Sequence, residues 1–132
     1  MKTRDLIQEV YFEAKPEELY DALMTAEQHA AFTEGEAKID PNPGGQFTVY
    51  NGYIVGKNIL LERGKMIVQE WRAIEENWPD YHFSTVQFKM AYLDGGTYLT
   101  FIHKGIPEEY VESISNGWEE YYWNPLKAFF AA

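Results

Sequence analysis

Between residues 81 and 93 the chain alternates, with Ser84, Val86, Phe88, Met90 and Tyr92 on one parity and Thr85, Gln87 and Lys89 on the other. A period of two sustained over that length predicts a strand with one buried face. Asp94-Gly95-Gly96 then turns the chain back into a strand over residues 97–104. Leu99, Phe101 and His103 share its inner parity, while Thr100 and Lys104 face outward. Residues 3–12 alternate more loosely and predict a first strand. Pro41-Asn42-Pro43-Gly44-Gly45 is the strongest turn signal, placed between strands near 37–40 and 46–50. Asn51-Gly52 is a hairpin dipeptide leading into a strand over 53–62, where Gly56 reads as a bulge. Arg63-Gly64-Lys65 turns into a further strand over 66–73, and a loop containing Glu75, Glu76, Asn77, Trp78 and Pro79 follows.

Three segments switch to the helical period. Pro16 suits the first turn of a helix, Glu17 and Glu18 complement its dipole, and Leu19, Ala22 and Leu23 form its apolar side to about Met24. Thr25 with Gln28 three residues on reads as a capping box opening a second short helix over 26–32. Near the C-terminus, Trp118, Tyr121, Tyr122, Pro125, Leu126 and Phe129 form one broad apolar stripe, with Val111 and Ile114 extending it backwards. Pro125 removes one helical hydrogen bond and predicts a kink beside Asn124. The order is strand, two short helices, about six strands, long helix. It predicts an α+β fold in which a curved antiparallel sheet of six to seven strands grips the terminal helix, as one domain over residues 1–132.

Composition narrows the chemistry. The chain has no cysteine, which excludes disulfides, thiolate nucleophiles and cysteine-based metal sites. The absence is compatible with a cytoplasmic protein. A formal net charge of −10 repels phosphate backbones and anionic lipid heads, so nucleic-acid and membrane binding are not expected. No segment has the length and apolarity of a membrane span, and Lys2, Arg4, Asp5 and Glu9 rule out a signal peptide at the N-terminus. Aromatic residues make up 17% of the chain, enough to fill the space between sheet and helix or to line a pocket there.

Several motifs then point one way in order along the chain. They are Pro16-Glu17-Glu18-Leu19-Tyr20, Ala31-Phe32-Thr33, Gly44-Gly45-Gln46-Phe47, Ile67-Val68-Gln69-Glu70-Trp71-Arg72 and Trp78-Pro79. His82-Phe83-Ser84-Thr85-Val86, Gly96-Thr97-Tyr98-Leu99, Gly105-Ile106-Pro107 and Gly117-Trp118-Glu119-Glu120-Tyr121-Tyr122 continue the series. Through these segments the chain resembles the C-terminal domain of activators of the heat-shock protein 90 ATPase and their stand-alone bacterial homologues. Those belong to the START-like, polyketide-cyclase-like (SRPBCC) superfamily. The resemblance implies the helix-grip fold, a co-chaperone-like role in the stress response and a heat-shock protein 90 family chaperone as partner. Eukaryotic activators also carry a separate N-terminal domain with a basic stimulating motif. This chain begins directly at the C-terminal-type domain, so full activator function is not implied.

The histidines are His29, His82 and His103. Strand parity points His82 and His103 inward, but no HxH, HxxE or HxxxH spacing accompanies them, so no metal site and no cofactor are expected. No Gly-x-Ser-x-Gly elbow occurs, and Gly44-Gly45 and Gly95-Gly96 read as turns, not phosphate cradles. His103, His82, Tyr50, Tyr121 and Glu70 are the acid–base candidates if the domain were a cyclase- or dehydratase-like enzyme, but no catalytic constellation is visible and a non-enzymatic domain is expected. Helix-grip proteins often leave a cavity beneath the long helix. The resemblance therefore implies a hydrophobic ligand site with Trp71, His82, Phe88, Phe101, His103, Trp118, Tyr121 and Tyr122 as its candidate lining. Between Lys104 and Lys127 there is no basic residue, whereas Glu108, Glu109, Glu112, Glu119 and Glu120 fall in that interval. They are the candidate docking residues for a basic patch on a protein partner. Free edge strands are compatible with a monomer or a homodimer.

Overall fold

The computed structural model describes all 132 residues, Met1–Ala132. The chain runs β1 (Thr3–Phe12), α1 (Pro16–Met24), α2 (Ala26–Thr33), β2 (Lys38–Ile39), β3 (Gln46–Val49), β4 (Ile54–Glu62), β5 (Met66–Ala73), β6 (Ser84–Leu93) and β7 (Gly96–Pro107). A short 3-10 turn (Glu108–Tyr110) then leads into α3 (Val111–Trp118), a π-helical turn (Glu119–Trp123) and α4 (Asn124–Ala131). All seven strands join one antiparallel sheet in the order β1-β7-β6-β5-β4-β3-β2. This is the α+β helix-grip arrangement expected from the strand and helix order.

The alternation in the sequence decides which face of the sheet is covered. Ile67, Gln69, Trp71 and Ala73 of β5, Val86, Phe88 and Met90 of β6, and Leu99, Phe101 and His103 of β7 are all buried on one side. Residues two apart on a strand share a face, so these rows stack across the paired strands. Phe88 lies opposite Phe101 in the β6–β7 register, and their ring centroids are 5.1 Å apart. The terminal helix covers this face. Trp118 meets Phe101 at 4.4 Å, and Trp123 meets Phe101 at 5.1 Å and Phe12 at 6.2 Å. Helix α2 closes one end, with Phe32 against Tyr122 and Phe129.

Five local expectations are corrected. Gly56 is not a bulge, since the irregularity in β4 lies between Asn58 and Leu60. Gly56 instead sits where a Cβ would run into the Glu70 carbonyl and the Phe47 ring, so only glycine lets the neighbouring strand and β3 side chain approach. Thr25 makes no side-chain cap to α2; at the start of α1, in contrast, the Glu18 carboxylate accepts the Lys15 N–H at 3.0 Å. β6 starts at Ser84, because Tyr81 takes a positive φ of 61° and is 96% exposed. His82 consequently lies in the loop before β6 and does not share its inward face. The irregularity foreseen at Pro125 takes the form of the π-turn just before it, with Asn124 N–H bonded five residues back to the Glu119 carbonyl.

That π-turn also shifts the apolar stripe. An i→i+5 turn inserts one residue into the helical repeat. Tyr121 is thereby left 50% exposed, and Trp123, which the regular stripe omits, is buried. Pro125 has no N–H to offer the Tyr121 carbonyl four residues before it. The Tyr50 hydroxyl, from the β3–β4 turn, donates to that carbonyl at 2.8 Å.

Candidate functional site

The interior beneath the helix centres on His103, which is fully buried on β7. The Trp118 indole N–H donates to His103 Nδ1 at 3.0 Å. An indole nitrogen can only donate, so Nδ1 must be the unprotonated nitrogen and Nε2 carries the hydrogen. His103 Nε2 then donates to Ser84 Oγ at 2.8 Å, and Ser84 Oγ donates to the Trp71 carbonyl at 2.8 Å. The chain of bonds uses both ring nitrogens. Burial lowers the His103 pKa to about 3, so the ring is neutral. A proton on Nδ1 would also point at the Trp118 N–H. With no free nitrogen, His103 holds the helix to the sheet and offers nothing to a metal or a substrate.

His29 repeats the theme on α2. Its Nε2 and the Tyr122 hydroxyl lie 2.9 Å apart, while Nδ1 is buried without a partner. Burial lowers the His29 pKa to about 4 and raises that of Tyr122. Eleven residues, among them His29, Gln69, Trp71, Phe88, Trp118 and Tyr122, border a residual interior space of about 20 Å³. That is room for a single water molecule and not for an organic ligand.

The eight residues assigned to a ligand cavity therefore separate. Phe101 and His103 are packed core, Phe88 borders the small residual space, and Trp71, Trp118 and Tyr122 border both that space and a larger cleft. His82 stands apart near Trp78, with its Nε2 bonded to the Gly105 carbonyl at 2.7 Å. Tyr121 is half exposed and meets Tyr50 at 5.6 Å in the wall of that larger cleft.

A larger space opens beside the helix. It is a cleft of about 660 Å³ between the β3–β4 turn, the end of β5 and helical residues 113–122. Tyr50, Tyr53, Trp71, Glu75, Glu120 and Tyr121 are prominent in its wall. The Tyr53 hydroxyl donates to the Glu75 carboxylate. Burial and the nearby Tyr121 and Glu120 raise the Tyr50 pKa, and burial with Glu75 raises that of Tyr53. Tyr53 and Glu75 were not singled out from the sequence. The signal lay in the β4–β5 register: Ile54 pairs with Ala73, and Ile74 N–H bonds the Tyr53 carbonyl at 2.8 Å, which brings the two segments together.

The five acidic docking candidates are all exposed. Glu108 lies 3.6 Å from Arg4 in a surface ion pair. Glu112 and Glu119, seven residues apart across regular helix, share a face, whereas Glu120 borders the cleft. No three His, Asp or Glu side chains converge as a metal site. No helix is long and apolar enough to cross a membrane.

Residues 13–131 match the family model described as Activator of Hsp90 ATPase homolog 1-like protein. The chain belongs to that family. The human Activator of 90 kDa heat shock protein ATPase homolog 1 is 34% identical over 119 residues, covering 90% of this chain and 35% of the human protein. An uncharacterized protein of Schizosaccharomyces pombe is 32% identical over 130 residues, covering 98% of this chain and 38% of its own length. The chain thus spans little more than a third of these curated relatives. The crystal structure of an HSP90 activator from Plasmodium falciparum superposes with a TM-score of 0.84 at 23% identity, covering 99% of this chain and 97% of that one, and so shares the fold. Within the activator family's helix-grip frame, the His103 bonds and the aromatic packing explain why sheet and helix form one interior.

Proposed function

We propose that this domain is a non-enzymatic docking module for a heat-shock protein 90 chaperone. Family membership over residues 13–131 supports the partner class. The observation that carries the reading is the exposed acidic series Glu108, Glu109, Glu112, Glu119 and Glu120, with no basic residue between Lys104 and Lys127. Such a surface complements a basic patch and steers association through long-range attraction. The acid–base candidates His103 and His82 are both engaged in structural hydrogen bonds, which supports binding over catalysis.

Titration of the domain against an Hsp90 chaperone at low and moderate salt tests the proposal, with binding and ATPase rate followed together. Saturable binding that weakens with salt is expected. Glu109→Gln/Glu112→Gln/Glu119→Gln should weaken it about tenfold and flatten the salt dependence, as removal of screened charges does. Absence of binding at low salt overturns the reading.

A small hydrophobic ligand between sheet and helix is the second reading. The open cleft of about 660 Å³, within the usual range for ligand pockets, favours it; the filled interior does not.

A further inference from the structure

The walls of the cleft combine two kinds of group. Tyr50, Tyr53, Tyr121, Trp71 and Trp118 supply aromatic surface, and Glu75 and Glu120 supply carboxylates. No lysine, arginine or histidine is among the thirteen lining residues. Neither carboxylate belongs to one of the ion pairs of the fold, which join Arg4–Glu108, Lys38–Glu36 and Arg63–Asp21. Glu75 is half-buried, accepts the Tyr53 hydroxyl and has no cation to balance it. The nearest guanidinium in sequence, that of Arg72, donates instead to the Pro79 and His82 carbonyls at 2.6 and 3.1 Å.

Aromatic faces carry negative charge density and attract cations lying over them, more strongly where water is partly excluded. A carboxylate in the same wall adds a charge-assisted hydrogen bond for an ammonium or guanidinium group. An anionic ligand would meet two uncompensated carboxylates. A neutral ligand would use the aromatic surface and leave the carboxylates idle. We propose that the cleft binds a small organic cation, an ammonium or guanidinium group carried on an apolar or aromatic body, between the tyrosines and the pair Glu75 and Glu120. A space of about 660 Å³ lies in the range of small-molecule pockets. This inference rests on the second reading above and adds to it the charge of the ligand.

The test uses three probes of like size: phenethylammonium, phenethyl alcohol and phenylpropionate. Binding to the full chain is followed by backbone amide chemical shifts and by the fluorescence of Trp71 and Trp118, both of which line the cleft. The expected result is shifts at Tyr53, Glu75, Gly117 and Tyr121, with the cation bound at least tenfold tighter than the alcohol and the anion weakest. That preference should shrink at high salt. It should vanish in Glu75→Gln/Glu120→Gln, and fall partway in Glu120→Gln alone, an exposed position that leaves the Tyr53–Glu75 bond in place. If cation and alcohol bind equally at the cleft, the charge assignment fails and the hydrophobic-ligand reading stands. If no probe perturbs the cleft, both fail.

Discussion

Trp118 and Trp123, five residues apart on the terminal helix, stack with ring centroids 5.6 Å apart and planes at 20°. At about 3.6 residues per turn, such positions fall on different faces of an α-helix. The π-turn between them brings both onto the sheet, Trp118 against Phe101 and Trp123 with its indole N–H on Gln8 Oε1 at 2.6 Å. Gln8 in turn bonds the Ser115 carbonyl at 3.0 Å, so β1 grips the helix on both sides of the turn.

This phase shift ranks two substitutions against the regular stripe. Trp123→Ala should lose about 3–5 kcal/mol, as removal of a buried large side chain does. Tyr121→Ala should lose about 1 kcal/mol or less, since its side chain is half exposed. Urea unfolding of both variants reads the ranking, and the reverse order would mean that the helix is regular through residues 119–123.

Tyr50 and Pro125 should be energetically coupled. Tyr50→Phe removes the hydroxyl that serves the Tyr121 carbonyl, for a loss of about 1 kcal/mol. In a Pro125→Ala background, the new N–H can serve that carbonyl instead, and the Tyr50→Phe loss should roughly halve. A double-mutant cycle measures the difference. Strict additivity would show that the hydroxyl does not stand in for the missing N–H.

Acid should weaken the fold through its buried histidines. His29 and His103 are lowered from 6.5 to about 4 and about 3 by burial. The unfolded chain therefore binds protons that the folded chain refuses. The stability from keeping each ring neutral is full above pH 6.5 and is lost as pH falls toward those lower values. Each histidine adds about 1.4 kcal/mol per pH unit within its window. Denaturant midpoints measured from pH 7 down to 4 should fall more steeply in the wild type than in His29→Gln, by the slope of one proton. Equal slopes would place His29 in water. Nitrogen NMR should show His103 as the Nε2–H tautomer across the same range.

Gly56 should tolerate no side chain. Gly56→Ala drives a Cβ into the Glu70 backbone and the Phe47 ring, and should lose at least about 3 kcal/mol or prevent folding. Gly95→Ala, in an open turn with φ of 83°, should lose only about 1–2 kcal/mol for its left-handed backbone. Thermal unfolding of the two variants separates crowding from backbone conformation.

The strand plan was legible because its signals are local. Alternation in β6 and β7 placed Val86, Phe88, Leu99, Phe101 and His103 inside, and the Pro41-to-Gly45 segment marked a turn that Asn58 holds through bonds to the Asp40 and Asn42 carbonyls at 2.7 and 3.1 Å. The π-turn was not legible, because periodicity assumes one repeat throughout and Trp123 falls outside it. The outcome for Gly56 turned on a neighbour across the sheet, which a turn-and-bulge reading of one strand does not contain. Tyr53 and Glu75 meet only through pairing of β4 with β5, so the cleft is a property of register. The distinction between a filled interior and an open cleft depends on side-chain volumes packed in three dimensions, which linear spacing does not encode.

The pairing of β1 with β7 joins the first strand of the sheet to its last: Thr3 lies opposite Pro107, and Asp5 accepts the Gly105 N–H at 3.0 Å. During synthesis β1 emerges before the other six strands yet has no strand to pair with until β7 has been made. The sheet must grow from the β4–β5–β6–β7 meander outward, and β1 joins it last of the strands on that edge. Closing so long a loop late predicts slow folding for a domain of this size. It also makes β1, waiting as an unpaired strand with Leu6, Val10 and Phe12 uncovered, the segment that a nascent-chain chaperone would be most needed to shield.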